Sequence, residues 1–162
     1  MKKQVENWLD AASDDIRLIE KIGEDESLTN MIAFHAEQAV EKSFKAVLEQ
    51  YESKVPRIHN IIKLKELIEK YIEIDLDKNL LIEISEVYTE TRYPSDLGLI
   101  PTGKPSIKTA INYKKGIGKI IKRIILSRVI FEKDKDLSRR KILMYKFFDI
   151  LEIRITRNLE QS

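Results

Sequence analysis

Residues 33–51 place an apolar side chain at every third or fourth position, and this pattern constrains the fold more than any other feature of the chain. The apolar positions are Ala33, Ala36, Val40, Phe44, Val47 and Tyr51. Side chains at this spacing lie along one side of an α-helix. The segment is therefore predicted to be a helix with one side in a hydrophobic core.

A polar stripe runs along the neighbouring face of this helix. It consists of His35, Gln38, Lys42, Lys45 and Glu49. The small residues Ala39, Ser43 and Ala46 border it, and small side chains let another helix approach closely. This arrangement predicts a narrow polar cleft. Glu41 and Lys45 are also spaced for an i,i+4 ion pair, which is interpreted as a solvent-exposed pair.

Other segments show the same helical spacing of apolar residues. Together with the central helix they predict a bundle, from segments at residues 3–22, 61–71, 80–91, 107–125 and 142–155. The fold is predicted to be all-α, an antiparallel up-and-down bundle of four to five helices plus an additional C-terminal helix. The bundle is assigned to residues 1–130 and the C-terminal helical extension to residues 131–162. Asp14 and Asp15 fall off the apolar stripe of the first helix and are predicted to be solvated.

Residues that favour helix ends occur between these segments. Gly23 is predicted to end the first helix in a left-handed conformation, and Pro94 to end the fourth. The predicted N-caps are Ser27 or Thr29 for the second helix, Asn60 for the third, Asp75 or Asp77 for the fourth and Ser106 for the fifth.

The composition excludes several classes of protein. Hydrophobic residues make up 43% and charged residues 35%, a balance that suits amphipathic helices. The absence of cysteine rules out disulfides, thiolate nucleophiles and cysteine metal sites. His35 and His59 are the only histidines, and no metal-binding spacing or glycine-rich phosphate loop is present, so neither a metal nor a cofactor is predicted. Acidic residues close to the N-terminus and the lack of a long apolar run predict a cytoplasmic protein.

One region is distinctly basic. Residues 97–131 contain no Asp or Glu but eight cationic side chains, although the whole chain has a net charge of only +2. The eight are Lys104, Lys108, Lys114, Lys115, Lys119, Lys122, Arg123 and Arg128. This region is interpreted either as a solvated helix face or as a binding surface for an anionic partner.

Polar side chains from several predicted helices can meet in one pocket. The predicted ligand-binding set is His35, Gln38, Lys42, Lys45, His59, Arg92 and Tyr93. Cationic groups bind phosphates, tyrosine stacks on bases and histidine transfers protons near neutral pH, so the set suits a nucleotide or an RNA strand. Each side chain also has a purely structural interpretation, such as a hydrogen-bonded histidine in a helix contact or an arginine that complements a helix C-terminus.

The order of these residues resembles the HEPN family, which is named for nucleotide binding in higher eukaryotes and prokaryotes. The resemblance extends over roughly residues 5–129 and rests on His35, Gln38, Ala39, Glu41-Lys42, Lys45-Ala46, Pro56, His59 and the run from Thr91 to Asp96. It implies a nucleotide- or RNA-binding domain that forms a homodimer. It also implies a minimal nucleotidyltransferase as a possible partner in a toxin–antitoxin pair.

The family's ribonucleases carry a histidine a few residues after an arginine. Here no histidine follows Arg92 in the next six residues, and Asp96 occupies the first position where one is expected. The leading interpretation is therefore a non-catalytic or weakly catalytic nucleotide- or RNA-binding domain. One alternative is a metal-independent ribonuclease toxin that uses Arg92, with Asp96, His35 or His59 in place of the missing histidine. The other is a protein-interaction module that binds no ligand.

Overall fold

The computed structural model describes residues 2–52, 54–72, 76–92 and 104–126. These ranges contain five packed α-helices and no strand, which confirms the all-α prediction. The helices are α1 Lys3–Ile22, α2 Thr29–Tyr51, α3 Ile61–Ile68, α4 Lys78–Arg92 and α5 Ile107–Leu126, with a short 3-10 turn at Glu26–Leu28. The predicted C-terminal helix at residues 142–155 lies outside the described residues.

Helix α2 is the centre of the bundle. It packs against all four other helices, and most of its residues are buried. Its predicted apolar side is in the core: five of the six positions are fully buried and Tyr51 is partly buried. The small residues that border the polar stripe, Ala39, Ser43 and Ala46, are fully buried as well, as expected for closely approaching helices.

Helices α1 and α2 run antiparallel. The Nζ atom of Lys2, just before α1, donates to the backbone carbonyls of Glu49 at 2.5 Å and Glu52 at 3.2 Å, at the far end of α2. The chain reverses direction at Gly23, whose N–H donates to the carbonyl of Ile19. The φ of Gly23 is 66°, as predicted, but its ψ of −120° differs from that of a left-handed helix.

Side-chain caps begin three helices where the sequence predicts them. The side-chain oxygen of Asn60 accepts from the backbone N–H of Lys63, and that of Ser106 accepts from the N–H of Thr109. The carboxylate of Asp77 accepts from the N–H groups of both Asn79 and Leu80.

The predicted cap of α2 at Ser27 or Thr29 is wrong. The residue before α2 is Leu28, which makes no side-chain cap. Instead the carboxylate of Asp25 accepts from the backbone N–H of Ser27 at 2.8 Å and starts the 3-10 turn. This turn leads directly into α2, which begins at Thr29 without a side-chain cap.

Candidate functional site

Asp15 is the centre of a buried polar contact between α1 and α2. Its Oδ1 lies 2.9 Å from Nδ1 of His35, and its Oδ2 lies 2.5 Å from Nζ of Lys42. His35 and Lys42 are seven residues apart and so lie on one face of α2, two turns from each other. One carboxylate on α1 therefore joins two polar groups on α2.

The prediction that Asp15 is solvated is wrong. Only 7% of the residue is exposed, because the α1 face that carries it packs against the polar stripe of α2. The neighbouring Asp14 is exposed as predicted and forms a 3.4 Å pair with Arg17 on the surface of α1. Two adjacent aspartates thus have opposite environments.

The contact with Asp15 also fixes the tautomer of His35. A carboxylate can only accept hydrogen bonds, so Nδ1 of His35 carries the proton. Its Nε2 is not used by Asp15, and 15% of the side chain is exposed. His35 is therefore held in one orientation with its second nitrogen left for another contact.

A second buried carboxylate, that of Glu41, organises the next part of the polar stripe. Its Oε1 accepts from Nζ of Lys45 at 2.6 Å and lies 3.1 Å from Nδ1 of His59. The predicted Glu41–Lys45 pair is present, but its interpretation as a solvent-exposed pair is wrong, because both side chains are buried. The ammonium of Lys45 also lies 5.4 Å from the ring centroid of Trp8 on α1, a cation–π contact.

Two polar atoms around Lys45 have no hydrogen-bond partner among the described residues. They are Oε2 of Glu41 and Nε1 of Trp8, and both are buried. Buried polar atoms are nearly always bonded to protein, water or a ligand. This cluster therefore has unused hydrogen-bonding capacity.

Among the side chains that contact the carboxylates of Asp15 and Glu41, that of His59 is the most exposed. It lies in the turn before α3, and 64% of its side chain is exposed although its Nδ1 is directed to Glu41. As in His35, Nδ1 carries the proton because its partner is a carboxylate, and Nε2 is not used by Glu41.

Four of the predicted ligand-binding residues lie around two buried carboxylates. His35 and Lys42 share Asp15, and Lys45 and His59 share Glu41.

Gln38 lies between these clusters on the polar stripe of α2. Its Nε2 donates to the carboxylate of Glu37 at 2.9 Å. Arg92 is the last residue of α4, whereas Tyr93 and Asp96 lie outside the described residues. The role of all these residues in ligand binding stays a prediction.

Sequence reasoning missed the contributions of Asp15, Glu41 and Trp8 to this arrangement. One feature of the sequence does point to them. Trp8 and Asp15 are seven residues apart on α1, and an antiparallel neighbour with a polar stripe brings both against that stripe. The apolar pattern of α1 alone does not reveal this, because it marks only the side facing the core.

The sequence profile of the HEPN domain matches residues 5–124. This chain belongs to the HEPN domain family. The match covers the two carboxylate clusters and nearly all of α5. No curated protein and no solved structure matches the chain significantly.

Helix α5 of this HEPN domain has a basic outer face. Its exposed cationic residues are Lys108, Lys115, Lys119, Lys122 and Arg123, called here the basic face. Lys114 instead pairs with Glu20 of α1 at 2.9 Å. Among the described residues, no carboxylate forms an ion pair with Lys108, Lys115 or Lys119.

The described part of this HEPN domain contains neither a membrane-spanning helix nor a metal-binding cluster. Within the described ranges, no helix is both long and apolar enough to cross a bilayer. The same residues contain no group of three or more His, Asp or Glu side chains arranged to hold a metal ion.

Proposed function

We propose that this HEPN domain binds a nucleotide or an RNA strand, and that the basic face of α5 contacts the phosphates. Positions 108, 115, 119 and 122 follow one another at intervals of seven, four and three residues, so they share one side of the helix. At 1.5 Å per residue these lysines extend over about 21 Å, the length of several nucleotides. The single observation that carries the proposal is this exposed row of cations on a helix that contains no acidic residue.

The polar stripe of α2 has a different role in this proposal. Lys42 and Lys45 are each paired with a buried carboxylate, which offsets their charge. The stripe therefore attracts phosphates less than the basic face does, and contributes neutral hydrogen-bonding groups instead. We assign His35, Gln38 and His59 to contacts with the bases or sugars of the ligand. Arg92 and Tyr93 complete the proposed set.

We further propose a homodimer and a minimal nucleotidyltransferase partner in a toxin–antitoxin pair. Membership of the HEPN family is the support for both. The test is size-exclusion chromatography with light scattering, on the chain alone and mixed with the candidate nucleotidyltransferase. A monomer with no complex at micromolar concentrations would contradict both assignments.

Titration with a short single-stranded RNA at several salt concentrations tests the binding function. Each phosphate contact contributes a slope of about −0.7 to the dependence of log K on log salt. Replacing Lys108, Lys115 and Lys122 together by glutamine should reduce the magnitude of the slope by about 2 if each lysine contacts one phosphate.

A matched control for this titration replaces three exposed lysines outside α5. Lys54, Lys63 and Lys70, all changed to glutamine, remove the same charge from the region around α3. Binding by this control should resemble that of the unchanged protein at moderate salt. Equal losses in the two triple variants would show that net charge rather than the basic face is responsible.

One observation favours ribonuclease activity as a second candidate function. Nδ1 of His59 is held by the Glu41 carboxylate, while the ring is largely exposed and its Nε2 is not used by Glu41. A histidine oriented in this way can accept the proton of a ribose 2′-hydroxyl. We assign stabilisation of the phosphate to Arg92, as a cation.

Incubation of the protein with cellular RNA in EDTA distinguishes this candidate. Cleavage that is lost in both His59→Ala and Arg92→Ala, and reduced in Glu41→Gln, would support it. Absence of cleavage by the unchanged protein would end it. If the protein also binds neither RNA nor nucleotide, the protein-interaction module is the interpretation that remains.

A further inference from the structure

An open cleft of about 580 Å³ lies between α4 and α5, separate from the polar stripe of α2. This volume is within the range of roughly 300–1,000 Å³ that is typical of small-molecule sites. The floor of the cleft is apolar and includes Leu80 of α4 and Gly116 and Ile120 of α5. The cleft therefore has the size and the apolar base of a ligand site.

The shape of this floor depends on Gly116. A Cβ atom at this position would lie 2.2 Å from Cδ2 of Leu80, so the Leu80 side chain occupies the space that glycine leaves open. Any larger residue at 116 would force Leu80 to move.

The two walls of the cleft carry opposite charges. On the α5 wall, Lys115 and Lys119 are exposed and form no ion pair with the described carboxylates. On the α4 wall stand Asp77 and Glu83. Asp77 is already used in part, since its Oδ1 caps α4. Glu83 therefore supplies the stronger acceptor for a ligand.

The opposite charges of the two walls determine which kind of ligand fits the cleft. A continuous polyanion in the cleft would be repelled by Asp77 and Glu83, and a fully cationic ligand would be repelled by Lys115 and Lys119. A molecule with a phosphate at one end and N–H or O–H donors at the other matches both walls. Asn79 and Asn112, which also line the cleft, can hydrogen-bond a ring edge.

We propose that the α4–α5 cleft binds a single mononucleotide. The phosphate lies against Lys115 and Lys119, the base lies on Leu80 and Ile120, and the sugar hydroxyls or the base N–H groups donate to Glu83. This inference rests on the proposed function and narrows it, because it assigns the mononucleotide to one cleft and leaves an RNA strand on the exposed part of the basic face.

Calorimetric titration with each of the four ribonucleoside monophosphates tests the cleft. Saturable binding of at least one of them is expected. Replacing Lys115 and Lys119 together by glutamine should weaken it about 10- to 100-fold, the usual effect of losing charge-assisted hydrogen bonds to a phosphate. The matched control replaces Lys63 and Lys70 together by glutamine, because both are exposed and neither lines the cleft.

A second pair of variants tests the shape of the cleft without changing its charge. Gly116→Ala should weaken mononucleotide binding, because Leu80 is displaced from its place over Gly116. Leu80→Ala should weaken it as well, because it removes part of the apolar surface on which the base lies. Circular dichroism of each variant confirms that the helices are retained.

The possible outcomes separate this inference from the proposed function. If a short RNA binds with the expected salt dependence but no monophosphate binds, the cleft assignment is overturned and the RNA proposal stands. An equal loss in the Lys63/Lys70 double variant and in the Lys115/Lys119 double variant also overturns the cleft assignment. If a monophosphate binds and is lost only in the cleft variants, the inference is upheld, whatever happens to RNA.

Discussion

Oδ1 of Asp15 on α1 lies 2.9 Å from Nδ1 of His35 on α2, across 20 residues of chain. The other oxygen of the same carboxylate binds Lys42, so both oxygens are used. Because the contact is buried, it is satisfied only when α1 and α2 pack in one register. We infer that Asp15 selects that register as well as orienting His35.

Asp15→Asn should destabilise the protein by about 2–3 kcal/mol. The substitution removes the charge that compensates Lys42, although the partial exposure of Lys42 lessens the cost. Asp14→Asn is the matched control, and its effect should stay within about 0.5 kcal/mol because Asp14 is exposed. Urea unfolding of both variants gives the comparison. Equal effects of the two substitutions would mean that Asp15 is not a buried partner.

Glu41→Gln should cost about 3 kcal/mol of stability. It leaves the buried ammonium of Lys45 without its carboxylate and releases His59, which Glu41 holds from the turn before α3. Glu49→Gln, on the same stripe but only partly buried, is the control and should change stability little. A double-mutant cycle with Lys45→Met separates the pair from its surroundings. The interpretation fails if the single Glu41 variant is as stable as the control.

Tyr71 should make stability depend on pH in the alkaline range. Its hydroxyl donates to Glu52 at 2.5 Å and its ring stacks on Tyr51 at 4.7 Å. The hydrogen bond to Glu52, together with burial and the nearby negative charge, raises the pKa of Tyr71 above its usual value. The folded pKa exceeds the unfolded one, so the contribution is complete below about pH 10 and is lost as the pH rises through the folded pKa.

Thermal melts of the unchanged protein and of Tyr71→Phe from pH 7 to pH 11 measure this effect. The phenylalanine keeps the stacked ring but has no proton to lose. Its stability deficit should therefore be constant at neutral pH and should shrink above about pH 10. A deficit that does not change over the whole range would contradict the assigned role of the hydroxyl.

Gly23→Ala should destabilise the protein by about 1 kcal/mol, because a side chain at positive φ is strained. The nearest atom to an added Cβ is a backbone oxygen at 3.9 Å, so the cost comes from the backbone and not from a clash. Gly23→Asn should give little rescue, since asparagine tolerates the left-handed helical region and the ψ of Gly23 is −120°. Full rescue by asparagine in urea unfolding would show that the turn adjusts to a left-handed geometry.

The amino-acid sequence by itself determined the helices of this protein and most of their ends. The side of α2 that faces the core follows from the spacing of six apolar residues, and the caps at Asn60, Asp77 and Ser106 follow from residue type and position. These features depend on interactions within a few residues of chain, so a local pattern is enough to predict them. The resemblance to the HEPN family, which the profile match confirms, also lies in the sequence.

Only the tertiary structure decided which polar residues are buried. Asp14 and Asp15 are adjacent residues of the same type, so the sequence alone does not show which of them is buried. The same is true of Glu-Lys pairs at i,i+4. In each case the environment depends on which helix packs over the side chain. His35 is 20 residues from Asp15, His59 is 18 residues from Glu41, and the α4–α5 cleft combines segments that are more distant still. A local pattern cannot predict such contacts, because burial of a charge is favourable only when a partner from another helix is present to compensate it.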